Sequence, residues 1–553
     1  MSLLIDAATK HQAGELAEAA KLYNEYIEKN AESVEALSLL GLCMQGMGNH
    51  RHAETLFSKA LSADNTRYEL YQNRGTTRLQ MGKLVEALSD FESGLSISPN
   101  DIDGLKNAGA ICIKLNKFDR AVLFFKRAFK LHSDENVIAG LAYCLSMRAL
   151  QAIKEKKFSS AIRDLNEAYK LCPDSWEIAY NLGNAHLKSG NYLLARRGYE
   201  DARKLNRHSL DLHCNLGITY ERLGFFSDSL KSYDSALQID SENHEAKYNK
   251  SLLLLKLGQY QEGFELYEHR WRTKEFATIK RRFRATLWRG ESNLSGKTIL
   301  CHAEQGLGDT IQFIWFCSMF DTSKTRVLIQ CQSSLIEIAK SMGLNAEFFS
   351  MDEDLPSFDF HCPLMSLPFA FQYQPDKNKP RAKYLFSPKK KTAQWDSYLV
   401  SEGKPRIGLV FEGKASHTHN HFRSVNAADL INMLPKDVDY FLLQKEFSLQ
   451  TKELIKNRSD IKDLSGKLID FSDTAAACVN MDLIITVDTA VAHLAGALGC
   501  PTNVLLHYQS DWRWGLETKM SHWYSQMNLI RLKRNGQWPD IYDEITASIE
   551  SVL

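Results

Sequence analysis

The sequence predicts an all-α array of helical hairpins followed by an α/β region of two parallel-sheet lobes. Three observations carry this prediction. The first 270 or so residues align on themselves at a period of 34. From about Lys297 the pattern changes to short apolar runs separated by helix-length segments, which is the signature of parallel strands with crossover helices. And 553 residues exceed what one core organises, at roughly 150 residues per domain.

The helical part rests on four columns. A small residue recurs at Gly41, Gly75, Gly109, Gly183 and Gly217, where the two helices of a pair cross too closely for a larger side chain. Seven residues later a second glycine column runs through Gly14, Gly48, Gly82, Gly190, Gly224 and Gly258, with Asn116 in the same slot, where the first helix ends and the chain turns. An alanine column follows at Ala19, Ala53, Ala87, Ala121, Ala161 and Ala195. Four residues on stands an aromatic: Tyr23, Phe57, Phe91, Phe125, Tyr199, Tyr233 and Tyr267, the i, i+4 spacing of one helical face. These columns read as core positions.

The pattern resembles the tetratricopeptide repeat over Met1 to Arg270, which implies about eight helical hairpins within 1–272. The fifth copy departs, with about six extra residues between Asn136 and Ser159 and Ala149 at the first glycine position, so its first helix is expected to be longer. A hairpin cannot bury its apolar face alone. Stacking makes a solenoid whose concave surface suits an extended peptide or a protein partner; the alternative is a scaffold that only packs against the C-terminal half.

The second part reads as a connector over 273–296, a first lobe with linker over 297–400 and a second lobe over 401–553. Strands are expected at 298–303, 326–331 and 358–363, then at 407–411, 440–444, 483–487 and 503–506. The Pro- and Lys-rich stretch around Lys377 to Trp395 reads as the inter-lobe linker, and Lys389 to Lys391 as a solvated face.

In open α/β sheets ligands sit beyond the carboxyl ends of the strands, so the residues after each strand are the candidates. After the first strand, EQGLGDTIQF offers Gly306 and Gly308 for a tight turn, with Gln305, Gly306 and Gly308 as candidate ligand-binding residues, and Asp309 at a helix start, either as an N-cap or as a base. After the first strand of the second lobe, FEGKASHTHNHFRSV carries Lys414, His417, His419, His421, Arg423 and Ser424. No carboxylate or cysteine pair completes a metal set there, so an anion site of Lys414, Arg423 and Ser424 is the better reading. In LLQKEFS, Lys445 and Glu446 form a surface pair, or else contact a phosphate and a ribose. In DLIITVDTAVAHLAGALG a strand runs into Asp488, Thr489 and Ala490 at a helix N-terminus, a ready anion site. His493 lies one turn in, as a phosphate donor or a packed core histidine. Ala495, Gly496, Ala497 and Gly499 read as close helix packing. Trp512, Trp514, Trp523 and Trp538 read as packing between the last helix and the first lobe, or as stacking platforms.

Together these segments resemble the heptosyltransferase-like glycosyltransferases of family 9, and the whole chain resembles bacterial proteins that fuse tetratricopeptide repeats to such a domain. The segments WRGESNLSGKTILCHAEQGLGDTIQF, PLMSLP at Pro363 to Pro368, DTAVAHLAGALG and DWRW at Asp511 to Trp514 carry the resemblance. It implies a fold class of an all-α tetratricopeptide superhelix followed by an α/β GT-B-like domain of two Rossmann-like lobes. It further implies inverting, metal-independent transfer from a nucleotide-sugar substrate with no other cofactor, Asp309 as general base, and Asp488, Thr489 and His493 at the donor phosphates. Two departures stand out. Ala490 occupies a position that is usually glycine, and the first lobe, at roughly 105 residues, is short. A protein acceptor brought by the repeats, such as a flagellin Ser or Thr, therefore fits better than a lipopolysaccharide. The alternatives are a saccharide acceptor, or a non-catalytic scaffold with a relic or nucleotide-sensing domain.

Bulk composition sets the frame for both parts. The AVILMFWYC set is 44% and charged residues are 24%, so the composition is neither disordered nor fibrous. Sixty-eight basic against sixty-seven acidic residues leave a net charge of +1, which gives no field to steer toward nucleic acid. Eleven scattered cysteines without a C-x-x-C pair read as buried thiols in a reducing compartment. MSLLIDAATKHQAGE has no basic region followed by a long apolar run, and no uninterrupted apolar stretch approaches eighteen residues. A cytoplasmic protein without a membrane span is expected.

Overall fold

The computed structural model describes residues 2–276, 281–375, 382–401, 403–413, 425–436, 438–534 and 536–553. The chain divides into two compact units, Met1–Phe225 and Phe226–Leu553.

The described residues contain sixteen helices between Ser2 and Tyr267, joined by short turns. Thirteen of them, six hairpins and one further helix, fall in the first unit. The remainder belongs to the second unit, so the stretch expected as one repeat domain, 1–272, is shared between two compact bodies. The columns explain the hairpin geometry. A Cβ added at Gly41 would lie 2.7 Å from the Phe57 ring, at Gly109 2.7 Å from Phe125, and at Gly183 2.6 Å from Tyr199. The small-residue column is therefore the socket of the aromatic column. The second glycine column has φ between +74° and +80°, Asn116 takes +56° in its slot, and Lys156 takes +60° in the fifth copy. This left-handed residue ends each first helix.

The first helix of the fifth hairpin, Glu135–Lys154, has 20 residues where most of its counterparts have 13. By length and composition this helix could cross a membrane. Here Val137, Leu141, Ala142, Cys144, Leu145 and Ala149 are buried among the neighbouring hairpins.

Among the described residues the second unit contains eleven parallel strands in two sheets. The first sheet comprises β1 (Thr286–Leu287), β2 (Thr298–His302), β3 (Arg326–Cys331), β4 (Ala346–Ser350) and β5 (Phe360–Pro363), in the order β1-β5-β2-β3-β4. The second comprises β6 (Arg406–Val410), β7 (Asp439–Leu442), β8 (Ile461–Asp463), β9 (Leu483–Val487), β10 (Thr502–Leu506) and β11 (Met527–Arg531), in the order β11-β10-β9-β6-β7-β8. Both sheets are doubly wound. The chain runs outward through β2, β3 and β4, or β6, β7 and β8, and then returns to the other side of the starting strand. This places a switch point between β2 and β5, and another between β6 and β9.

The seven expected strands lie within a residue or two of the observed ones. β1, β4, β8 and β11 were not expected. The stretch 273–296, expected as a connector, supplies β1, and it buries Trp288 and Leu294 in the first-sheet core. The linker ends in a helix, Lys389–Tyr398. Lys391 on it is not merely solvated: its Nζ lies 3.2 Å from Asp473, 3.4 Å from Asp470 and 3.4 Å from Glu337. All eleven cysteines are unbridged, and all but Cys172 are buried.

Candidate functional site

The carboxyl edge of the second sheet is built around the helix Ala490–Leu498. β9 is buried along its length and ends at Val487, Asp488 is buried, and Thr489 is the N-cap in extended conformation. The Thr489 hydroxyl does not cap the helix but lies 3.3 Å from the Thr486 hydroxyl, so the first-turn N–H groups have no side-chain cap. Thr489 and Ala490 are half-buried. The small residues of this helix permit close approach: a Cβ on Gly496 would run into the Tyr524 ring, and Gly499 closes the helix with φ +72°.

His493, one turn in, is buried. Its Nδ1 is 3.0 Å from the Tyr524 hydroxyl, and its ring stacks on Trp514 with centroids 5.1 Å apart. Of the two readings of His493, the packing contacts are present, and the turn of the first lobe lies against the ring. A Cβ on Gly308 would lie 2.8 Å from His493 Cδ2. Glycine at 308 is what lets the two lobes meet at this point.

On the first lobe, β2 leads through Glu304, Gln305 and Gly306 into the helix Leu307–Phe313. Gly306 is the N-cap, and Asp309 is the third helical residue rather than the cap. Its Oδ2 accepts from the Gly306 N–H at 2.9 Å. Its Oδ1 accepts from Arg513 Nη2 at 2.5 Å, a contact between residues 204 apart in the chain. Arg513 is buried and donates also to Asp511 at 2.8 Å and to Gln312 at 2.7 Å. Burial pulls the guanidinium down, but Asp511 and Asp309 more than offset it and hold the charge above the usual arginine range. Asp309 is thus aimed by a cation from the other lobe.

Behind this turn lies a buried charge cluster. Arg270, just past the last hairpin, is fully buried and donates to both oxygens of Glu304 at 3.0 Å, to Glu268 at 2.7 Å and to the Ser366 hydroxyl at 2.7 Å. Burial pushes the Glu304 carboxyl up to about 7, against the pull of Arg270. Gln305 donates to the Tyr267 hydroxyl at 3.0 Å, and its carbonyl accepts from Gln332 at 3.0 Å. Residues of the last hairpin therefore fix the loop between β2 and Asp309. Tyr260, Phe264 and Tyr267 extend the same support by packing against Tyr373, Trp512 and Trp523.

The remaining candidates lie along the second sheet. Gln444 is buried, and its side-chain oxygen accepts from the Phe411 N–H at 2.8 Å, which ties the ends of β6 and β7 together. Lys445 is exposed and donates to the Ile469 carbonyl at 3.2 Å, while Glu446 is exposed without an ion pair to it. The expected Lys445–Glu446 surface pair is not formed. Lys414, His417, His419, His421, Arg423 and Ser424 lie outside the described residues. Among the described residues there is no group of three or more His, Cys, Asp or Glu able to hold a metal. Trp512, Trp514 and Trp523 are buried packing residues and Trp538 is half-buried. Arg270, Glu304, Gln312 and Tyr524 were missed by sequence reasoning. Arg513 stood in the DWRW segment without a role.

A tetratricopeptide-repeat family profile matches residues 146–206 and 214–269. The helical hairpins are tetratricopeptide repeats. They form a scaffold for protein interaction, followed by a region of parallel sheets and helices. The profile matches stop at residue 269, short of the sheets.

Among curated proteins, DnaJ homolog subfamily C member 3 of Gallus gallus is 28% identical over 196 residues, 33% of this chain and 38% of its own length. Protein FlbA of Caulobacter vibrioides is 21% identical over 287 residues, 47% of this chain and 48% of its own. The chain thus spans less than half the length of these relatives. Among solved structures, the tetratricopeptide-repeat protein YrrB is 18% identical, covering 35% of this chain and 98% of that one with a TM-score of 0.29. Naa15/Naa10 bound to HypK-THB is 14% identical, covering 50% and 42% with a TM-score of 0.39.

Proposed function

We propose that residues 297–553 are a glycosyltransferase of the two-lobed GT-B type, moving a sugar from a nucleotide-activated donor to a hydroxyl of a protein held by the repeats. The observation that carries this reading is the meeting of two switch-point segments. Gly308 and Asp309, beyond β2, abut the helix that starts beyond β9, and Arg513 spans the junction. Doubly wound sheets bind nucleotides at such points. The uncapped N–H groups at Ala490 suit a diphosphate.

In this scheme the acceptor oxygen attacks the anomeric carbon, the bond from that carbon to the phosphate oxygen breaks, and the anomeric centre inverts. Asp309 takes the acceptor proton. Arg513 and the Gly306 N–H each occupy one lone pair of the Asp309 carboxylate, which fixes its orientation and leaves others for the proton. Negative charge growing on the departing phosphate is met by the helix N-terminus, the Thr489 hydroxyl and Lys445, groups already oriented before reaction. His493 supports this surface from beneath. The acceptor is proposed as a protein because the scaffold ahead of the sheets is of the protein-binding kind. A reducing cytoplasm is proposed because all eleven thiols are unbridged.

The test is nucleotide release from a panel of nucleotide sugars by the full chain and by Asp309→Asn. The variant is expected to lose about 10²- to 10⁴-fold in turnover with donor binding retained. Equal turnover in the two proteins would remove Asp309 from the mechanism. Binding without turnover in either would favour the nucleotide-sensing scaffold.

A further inference from the structure

At the carboxyl edge of the second sheet, Arg531 ends β11, two strands from Thr489. It is half-buried, and its guanidinium donates to the Ser510 hydroxyl and, at 2.9 Å, to the Trp514 carbonyl. Both acceptors are neutral, and they account for two of the five N–H groups an arginine carries.

Among the described residues no carboxylate forms an ion pair with Arg531. Asp511, one residue beyond Ser510, is paired with Arg513. The segment that runs antiparallel along β11, with Leu529 N–H donating to the Lys519 carbonyl at 2.7 Å and Met520 opposite Asn528, carries Glu517 two residues before Lys519 as an exposed side chain without an ion pair. The contrast within the same unit is sharp: Arg270 and Arg513 each pair with two carboxylates. Burial without an anion pushes the Arg531 pKa down to about 10.

A partly desolvated guanidinium satisfied only by neutral acceptors is a costly arrangement, and its planar fork matches an oxyanion. Its place in the fold gives that feature a use. The Trp514 carbonyl it holds belongs to the turn that stacks under His493 and carries Arg513 to Asp309. We infer that Arg531, with the Ser510 hydroxyl beside it, forms an oxyanion-binding site for a carboxylate or phosphoryl group of a ligand lodged at this edge of the sheet. The site is separate from the N-terminus of helix Ala490–Leu498, and it stands whether or not the chain transfers sugars.

The experiment is modification of the full chain by phenylglyoxal, with the Arg531 adduct followed by peptide mass spectrometry. Inorganic phosphate or acetate is added at constant ionic strength set with chloride. We expect Arg531 to react, and at least one anion to slow its reaction by about fivefold at a concentration four times its dissociation constant. Protection by phosphate alone identifies a phosphoryl ligand, and protection by acetate a carboxylate. Arg531→Met should abolish the rise in melting temperature that the same anion gives the parent chain, and Arg531→Lys should reduce it. An Arg531 that does not react, a rate that neither anion changes, or an anion-dependent rise that survives in Arg531→Met would overturn the inference. Each readout uses inorganic anions or acetate, so failure here leaves the transferase proposal to its own test.

Discussion

Replacing Glu304 by glutamine tests the buried cluster that supports the candidate site. Glu304 is buried against Arg270, and burial pushes its carboxyl from 4.5 up to about 7. A raised carboxyl means the folded protein binds a proton more tightly than the unfolded chain does. This contribution is therefore most favourable below pH 4.5 and declines as pH rises toward 7. The rise corresponds to roughly 3 kcal/mol. A glutamine side chain at this position cannot ionise, so the stability of the parent minus that of Glu304→Gln should fall by about 3 kcal/mol between about pH 4.5 and 7.5.

Urea unfolding followed by tryptophan fluorescence reads the right unit, because every tryptophan except Trp176 lies after residue 270. Fixed offsets from the altered hydrogen bonds to Arg270 and Glu268 drop out of the pH dependence. Parallel stability curves for the two proteins across this range would refute the reasoning.

Other positions give sharper local tests. Gly308→Ala places a Cβ 2.8 Å from the His493 ring and should cost about 1–3 kcal/mol in the unfolding of the second unit, measured by the same fluorescence assay. Gly109→Ala, whose Cβ would sit 2.7 Å from the Phe125 ring, should destabilise the repeats by a similar amount in circular dichroism melts. Gly48→Ala meets nothing within 4 Å but has φ +79°, so only about 1–2 kcal/mol of backbone strain is expected there. Arg270→Met, which strands Glu304 and Glu268 without their cation, should cost about 3–5 kcal/mol at about pH 8. A melting temperature unchanged by Arg270→Met would contradict the ion cluster.

The repeats were legible because their determinants are local and recur. Gly109 and Phe125 are sixteen residues apart in one hairpin, and the same pair returns as Gly41 with Phe57 and Gly183 with Tyr199. The central strands were legible as apolar runs. β1 has two residues, β8 reads Ile-Lys-Asp, and β4 and β11 are edge strands with mixed patterns, so none offers a run to detect. The first-lobe turn and the β9–helix junction were visible from their Gly, Asp and Thr residues. Their partners were not. Arg513 reaches Asp309 across 204 residues and Arg270 reaches Glu304 across 34, and nothing local marks either pairing. The packing of His493 was not legible for the same reason: the glycine that lies against it belongs to another lobe.

The central claim, that the sheet region binds a nucleotide-activated sugar at the helix beyond β9, is tested most directly by calorimetric titration of the full chain with nucleoside diphosphates and their sugars. Thr489→Ala serves as the comparison, because it removes a half-buried hydroxyl that does not cap its helix. The account predicts saturable binding of one nucleotide family, weakened about tenfold or more in Thr489→Ala, in line with loss of one hydrogen bond to a charged group. Absence of heat with every nucleotide, in a protein whose second unit is shown to be folded by its tryptophan fluorescence, would contradict it.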